Sequence, residues 1–318
     1  MQWFVDELLY FRGIVFVKGW AYCPEGSPET SLQKSIVSMS YQFPGAEAVP
    51  VKGYGLPSPD LEHQFGRAAQ NSRFEFHASV DLPPEQVSQM HLVFRLADGS
   101  TQTATGLVER KISTDPYHAL HKRFFEQIRA QQPPFKVLEI GSRNRSGHVR
   151  KALLGDRVDY VGMDIVAGDN VDVVGDAHAL SHLFPQQTFD AVFSISVFEH
   201  LLMPWKAAIE INHVLKPGGL VMIATHQTFP LHETPWDFWR FSDQSWHGLF
   251  NDQTGFKILD TALGESAAIV AHLLHAVTAD MDKSPAYLAT AVLCQKTQET
   301  ALRWDANLKD ILETLYPQ

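Results

Sequence analysis

The sequence predicts an α/β domain, a mostly parallel sheet with helices on both faces, preceded by a small all-β sandwich. Three observations carry this. From Phe135 onward, short apolar runs alternate with helical stretches and short loops, as in strand–helix–strand units. Before about residue 112, runs rich in β-branched and aromatic residues are separated by turn formers, with no long helix legible. The chain has 318 residues, more than one ordinary domain needs.

Taken in order, Phe11–Tyr22, Ser35–Phe43, Arg73–Val80 and Met90–Leu96 show partial period-two alternation. PEGSP, PGAE, GLPSPD and ADGS separate them, so residues 1–112 read as a sandwich of about seven strands. In 113–132, Tyr117, Leu120, Phe124 and Ile128 recur at helical spacing and predict a connecting helix that ends at Gln131-Gln132-Pro133-Pro134. Residues 133–297 form the α/β domain. Its expected strands are Lys136–Ile140, Val158–Met163, Val171–Val174, Phe189–Ser196, Leu220–Thr225, Phe256–Thr261 and Tyr287–Cys294. Its expected helices are Ser146–Leu154, Ala177–Phe184 and Trp205–Leu215. Residues 298–318, with Leu302, Leu308, Ile311, Leu312 and Leu315, read as an amphipathic tail helix.

Composition bounds the function. Hydrophobic residues make up 45% and charged residues 19%, a globular balance. A net charge of −10 without a run of Lys or Arg argues against nucleic-acid partners and a polybasic membrane anchor. No uncharged apolar stretch is long enough to predict a membrane span. The N-terminal MQWFVDELLYFRGIVFVKGW carries Asp6, Glu7, Arg12 and Lys18 and does not read as a secretory signal. Two cysteines, Cys23 and Cys294, far apart and in no paired motif, suit a reducing compartment, so a cytoplasmic location is expected.

The chemistry-bearing residues cluster at predicted strand ends. Val137-Leu-Glu-Ile-Gly-Ser-Arg-Asn-Arg-Ser-Gly147 is an apolar strand running into a loop with Gly141 and Gly147, where glycine lets backbone approach a ligand. Glu139 ends that strand, near a cofactor's amino group or the loop amides. Asp164, followed by Ile165, ends the next strand, where a carboxylate accepts from ribose hydroxyls. Asp176-Ala177 follows the third strand, where Asp176 is placed to accept from an adenine amine. Phe189-Asp190-Ala-Val-Phe-Ser194-Ile-Ser196-Val-Phe-Glu199-His200 and Leu215-Lys-Pro-Gly-Gly219 complete the series.

The ordered set VLEIGSRNRSG, GMDI, GDAHAL, FDAVFSISVFEHL and LKPGG resembles the class I S-adenosylmethionine-dependent methyltransferases, specifically the type 11 group. The resemblance spans about half of the chain. It implies a Rossmann-like domain with a seven-stranded sheet and S-adenosyl-L-methionine as cofactor. It also implies cofactor contacts from Glu139, Gly141, Ser142 and Gly147 (methionine part), Asp164 and Ile165 (ribose), Asp176 and Ala177 (adenine), and Ser194 and Ser196 at the methyl-transfer site. The usual E-x-G-x-G-x-G loop is altered, with Arg143 and Arg145 replacing two glycines. That departure motivates a rival reading, a non-catalytic methyltransferase-like binding module. A nicotinamide-dependent dehydrogenase is a second rival, but Arg143 stands where its second glycine is required.

Acceptor chemistry is expected from His226 to Phe241. Its His-x-x-Pro-x-Asp-x-Trp-Arg-Phe pattern resembles a stretch of methyltransferases linked to bacterial surface glycans. His226 and His232 are candidate bases, needed where a hydroxyl must lose a proton. Asp237, Trp236 and Trp239 are candidate sugar contacts. The expected acceptor is a small or glycan-linked hydroxyl, in cell-surface polysaccharide synthesis. Glu199-His200 falls where some relatives carry a Glu-x-x-Glu-His cluster for a divalent ion, but the first acidic position is Ser196, and no metal is expected. Gly19-Trp20-Ala21, Pro57-Ser-Pro-Asp60-Leu and Phe74-Glu-Phe resemble an accessory β domain found beside bacterial glycosyltransferases and methyltransferases, which makes a glycan-synthesis enzyme a candidate partner.

Overall fold

The computed structural model describes residues 1–11, 13–24, 35–108, 115–145, 147, 149–271, 275–279 and 281–312. The chain divides into two compact units. One comprises Met1–Ser113 with Ser266–Ala286, the other Thr114–Glu265 with Tyr287–Gln318.

The first unit holds β1 (Gln2–Phe11), β2 (Ile14–Tyr22), β3 (Ile36–Gln42), β4 (Val49–Val51), β5 (Tyr54–Leu56), β6 (Arg73–Ser79), β7 (His91–Leu96) and β8 (Thr101–Ala104), with a short helix, α1 (Pro59–Phe65), and a single helical turn at Pro84–Val87. They form two four-stranded sheets, ordered β1-β2-β6-β5 and β4-β3-β7-β8. Val5, Val17, Phe74 and Phe76 from the first sheet and Met39, Tyr41, Leu92 and Phe94 from the second share one buried core. Tyr41 stacks on Phe76 across it, with ring centroids 5.3 Å apart. The expected sandwich is therefore present, with β1, β4, β5 and β8 beyond the four runs named from the sequence. In β1 a register shift between Val5 and Glu7 breaks the alternation that signals a strand.

The second unit is built on seven strands: β9 (Lys136–Ile140), β10 (Asp159–Asp164), β11 (Val173–Val174), β12 (Phe189–Ile195), β13 (Leu215–His226), β14 (Phe256–Ala267) and β15 (Ala286–Lys296). Their order is β11-β10-β9-β12-β13-β15-β14. Neighbours from β11 to β13 run parallel, and β15 is antiparallel to β13. Side chains alternate between two cores, one on each face. Leu138, Val192, Val221 and Ile223 enter one, together with Ile211 and Val214 of α3 (Pro204–Val214). Val137, Ala191, Phe193, Met222 and Ala224 enter the other, against α2 (Pro116–Arg129). Burial on both faces explains why these strands read as continuous apolar runs.

The structure places α2 inside this unit rather than between units. Asp115 caps it by accepting from Tyr117 and His118 amides, and Tyr117, Leu120, Phe124, Phe125 and Ile128 are buried. Lys296 Nζ, fully covered, donates to the Asn212 and Leu215 carbonyls at 2.6 and 2.7 Å and closes the C-terminal end of α3.

Two helical expectations differ. After β9 the chain forms a 3₁₀ turn at Arg150–Leu153; Ser146 lies outside the described residues. The tail makes only one helical turn, Leu308–Ile311, and 313–318 lie outside the described residues. The tail is held by particular contacts rather than by an apolar stripe. Trp304 meets Trp205 edge-on at 5.6 Å, and Lys206 Nζ donates to the Ala306 carbonyl at 2.6 Å. Among the described residues no helix is long and apolar enough to cross a membrane.

Candidate active site

In open α/β sheets, ligands bind beyond the carboxyl ends of the strands. A cavity of about 530 Å³ lies there, against the ends of β9, β10, β12 and β13. One half is walled by Ile140, Gly141, Arg143, Asp164, Ile165 and Ala177, the other by Glu199, His200, His226, Phe229 and His232.

The first half is shaped by backbone. Gly141 turns the chain out of β9 at φ +81°, and a Cβ there would stand 2.1 Å from Val197 Cγ2, so this position has room only for glycine. Gly141 and Ser142 amides both donate to the Met163 carbonyl, which lays the loop beside the end of β10. Asp164 accepts the Arg143 amide on one carboxylate oxygen (3.3 Å) and the Val166 amide on the other (3.0 Å). Each oxygen keeps acceptor capacity for a further hydroxyl. Ile165 is 37% exposed beside it, an apolar surface in an otherwise polar rim. Asp176 accepts from the His178 amide and from His178 Nδ1 at 2.7 Å. Burial would raise its carboxyl, but the His178 hydrogen bonds outweigh this and hold it below the usual range. The Met203 amide donates to His178 Nε2, so the His178 proton sits on Nδ1.

Arg143, Arg145 and Arg150 all reach the wall of this half. Arg143 folds back to 3.8 Å from Asp164, and its buried Nε has no hydrogen-bond partner among the described residues. Arg145 reaches Glu233 at 2.8 Å. The arginines in place of glycines therefore leave the cavity open and line it with positive charge.

Several expected cofactor residues stand behind the wall. Glu139 is buried, accepting from Tyr160 Oη at 2.5 Å with Arg150 at 3.4 Å. Burial pushes its carboxyl upward, and the Tyr160 hydrogen bond opposes this. Ser142 Oγ donates to the Asn170 carbonyl, and Ser194 Oγ to the Ile140 carbonyl. These three position the strand ends, and Gly147 is absent from the lining as well. Ser196 does line the cavity, with a left-handed backbone at φ +57°.

The second half is built from side chains. Glu199 is completely buried, and its Oε2 accepts from Thr225 Oγ1. Its Oε1 has three imidazole Nε2 atoms around it, from His226 at 3.1 Å, His200 at 3.8 Å and His232 at 4.0 Å. Burial would raise this carboxyl, but His226 and Thr225 hold it below the ordinary range. His226, at the end of β13, is stacked on Phe229 at 4.1 Å. Asp237 does not face the cavity. Its covered carboxylate takes two Arg240 bonds (2.6 and 2.8 Å) and the His232 amide (2.9 Å). The guanidinium contact holds it far below the usual carboxylate range. Trp236 is buried in the wall, while Trp239 donates to the Leu201 carbonyl and packs near Trp205. The expected pair of exposed tryptophan platforms is not formed inside the cavity. Phe229 lies inside the stretch expected to supply acceptor chemistry, but neither it nor His200 was singled out as an acceptor residue.

Residues 138–223 match the family described as "Methyltransferase domain". This segment is a methyltransferase domain. A curated relative, a 2-methyl-6-phytyl-1,4-hydroquinone methyltransferase from Synechocystis sp., is 37% identical over 91 residues, 26% of this chain. The matched segment spans only 27% of that relative's length. Among solved structures, YcgJ from Bacillus subtilis aligns at 15% identity and TM-score 0.43, over 57% of this chain and 100% of that one. A SAM-dependent methyltransferase from Archaeoglobus fulgidus aligns at 16% identity and TM-score 0.41, over 56% of this chain and 94% of that one. The cofactor implied for the methyltransferase domain is S-adenosylmethionine. The cavity suits it. The lining offers both oxygens of the Asp164 carboxylate to a diol, the apolar Ile165 and Ala177 to a base, and the unpartnered Arg143 Nε to a carboxylate, the groups such a cofactor carries.

Proposed function

We propose that the chain transfers a methyl group from S-adenosylmethionine to a hydroxyl of a small or glycan-linked acceptor in the cytoplasm. The observation that carries this reading is the single cavity wall on which Asp164, at one end, and His226, at the other, both stand. The cofactor supplies an electrophilic methyl on a sulfonium. Asp164 accepts from the ribose hydroxyls, Ile165 and Ala177 flank the base, and Asp176 accepts its exocyclic amine. Arg143 meets the α-carboxylate. The main task of the protein is alignment and exclusion of water, which the apolar Val197, Leu201 and Phe229 in the cavity lining serve.

His226 takes the acceptor's proton as the new oxygen–methyl bond forms. The Glu199 charge 3.1 Å away offsets the positive charge that the imidazole gains. The 226–241 pattern and the N-terminal sandwich support a place in cell-surface polysaccharide synthesis, beside a glycan-synthesis enzyme.

The test uses purified full-length chain with methyl-labelled donor and a panel of nucleotide sugars, glycosides, a hydroquinone and an amine. Label is expected on a sugar hydroxyl. Label on the amine or hydroquinone alone would replace the acceptor class. Donor binding by calorimetry with no transfer to any acceptor would favour a binding module.

A further inference from the structure

We propose that a second cleft, between α3 and the 303–307 segment, binds a phosphate group, either as the free ion or as a small phosphomonoester. The cleft has a volume of about 230 Å³ and is walled by α3, residues 178–182 and residues 303–307. Lys206, Glu210 and His213 fall at i, i+4 and i+7 of α3, so one face of the helix lines it. His182 joins them from the turn that follows Asp176, and Arg303 from the C-terminal segment. Lys206 itself pins that segment, since its Nζ donates to the Ala306 carbonyl at 2.6 Å. Only His178 is shared with the main cavity, so the site stands independently of the methyl-transfer reading.

Lys206 is only 7% exposed, yet its ammonium gives one hydrogen bond and has no ion-pair partner among the described residues. A buried cation without a counterion is costly, and this one has two further hydrogens to donate. Arg303 is exposed and makes neither a hydrogen bond nor an ion pair among the described residues. The His182 and His213 rings make no hydrogen bond there either. Burial holds the His213 imidazole below its usual range, with Glu210 opposing and Arg303 adding to the effect, so near neutral pH this ring gives one N–H. The acidic groups in the lining leave the two cations uncompensated. Glu210 accepts the Ser181 amide at 2.7 Å, and Asp305 is exposed; neither pairs with Lys206 or Arg303. His178 adds no donor, because Nδ1 is given to Asp176 and Nε2 accepts the Met203 amide. Two fixed cations and two imidazoles thus line one cleft, with more N–H groups than the two oxygens of a carboxylate can accept. A phosphate group, carrying about −1.5 to −2 charge on three or more oxygens, matches that set. The cleft is smaller than the roughly 300–1,000 Å³ of pockets for drug-sized ligands, so any substituent on the phosphate is small.

The test titrates the full-length chain by calorimetry with inorganic phosphate, then with glycerol 1-phosphate and with acetate. One phosphate per chain is expected, with acetate at least about tenfold weaker. Arg303→Gln should weaken phosphate about 10–100-fold. Arg303 is exposed and holds no other group in place, so its replacement keeps the fold, and circular dichroism verifies this. Lys206→Met should lose the ion too, but its burial makes it the secondary variant. Asp305→Asn should tighten binding about two- to fivefold by removing a like charge from the lining, a gain that damage to the fold would not produce. Tighter binding of glycerol 1-phosphate than of inorganic phosphate assigns the site to a monoester, and the reverse assigns it to the free ion. No saturable phosphate binding, or equal affinity in wild type and Arg303→Gln, overturns the proposal. Loss of phosphate binding in Arg143→Gln with Arg303→Gln unaffected overturns it as well, because the ion would then sit in the main cavity.

Discussion

The two halves of the cavity are made in different ways. Around Asp164 the wall is strand-end backbone, with amides from Arg143 and Val166 fixing one carboxylate and Gly141 fixing the turn. Around Glu199 the wall is side chains brought from positions 199 to 232 and held by one another. A backbone-built half tolerates change in its side chains, because its shape belongs to the sheet. A half built from side chains is a network, in which removing one member leaves another uncompensated.

The comparison breaks most visibly at His226. His226→Gln should cut methyl transfer about 10²–10⁴-fold while leaving cofactor affinity within about twofold, read from kcat beside calorimetry. A parallel loss of cofactor binding would mean that the halves are not separable. Arg240→Met comes next. It leaves the covered Asp237 carboxylate with His232, through its amide and its ring Nδ1. Stability should drop by about 2–3 kcal/mol in urea unfolding, below the ~3–5 of a fully buried pair because Arg240 is 25% exposed. Asp164→Ala tests the other half. It should weaken S-adenosylmethionine by roughly 1–3 kcal/mol, with little change in unfolding midpoint. An unchanged dissociation constant rejects the diol assignment.

The smallest effect comes from outside both halves. His121, on α2, is pushed down from 6.5 to about 4, chiefly by burial and then by His118 and Arg150. Between pH 6.5 and about 4 the unfolded chain therefore binds a proton that the folded chain refuses, and stability falls as pH drops through that window. The loss should be about 1–2 kcal/mol, after discounting for partial exposure, and His121→Phe should flatten it in thermal melts at pH 7 and 4.5.

The same contrast explains what could be read in the sequence. Asp164 ends β10 and Asp176 lies two residues past β11, and both reach the cavity because strand ends dictate where the next residues point. Glu139 and Ser194 sit on equally legible strands, but their side chains turn into contacts with Tyr160 and Ile140 that need three-dimensional neighbours to predict. Glu199 and His200 were visible as a dipeptide. Their convergence with His232 was not, since the 227–241 segment has no period to project. The grouping of 266–286 with the first unit left no trace either, because the strands flanking it, β14 and β15, read as one continuous domain.

The Arg145–Glu233 contact joins the loop after β9 to the segment that bears His232, and both residues line the cavity. Arg145 is 53% exposed, and an ion pair of that kind holds by about 1 kcal/mol or less, near thermal energy. The mouth of the cavity is therefore latched by something that salt can loosen. Rising ionic strength should speed ligand entry and exit together and leave the chemical step untouched.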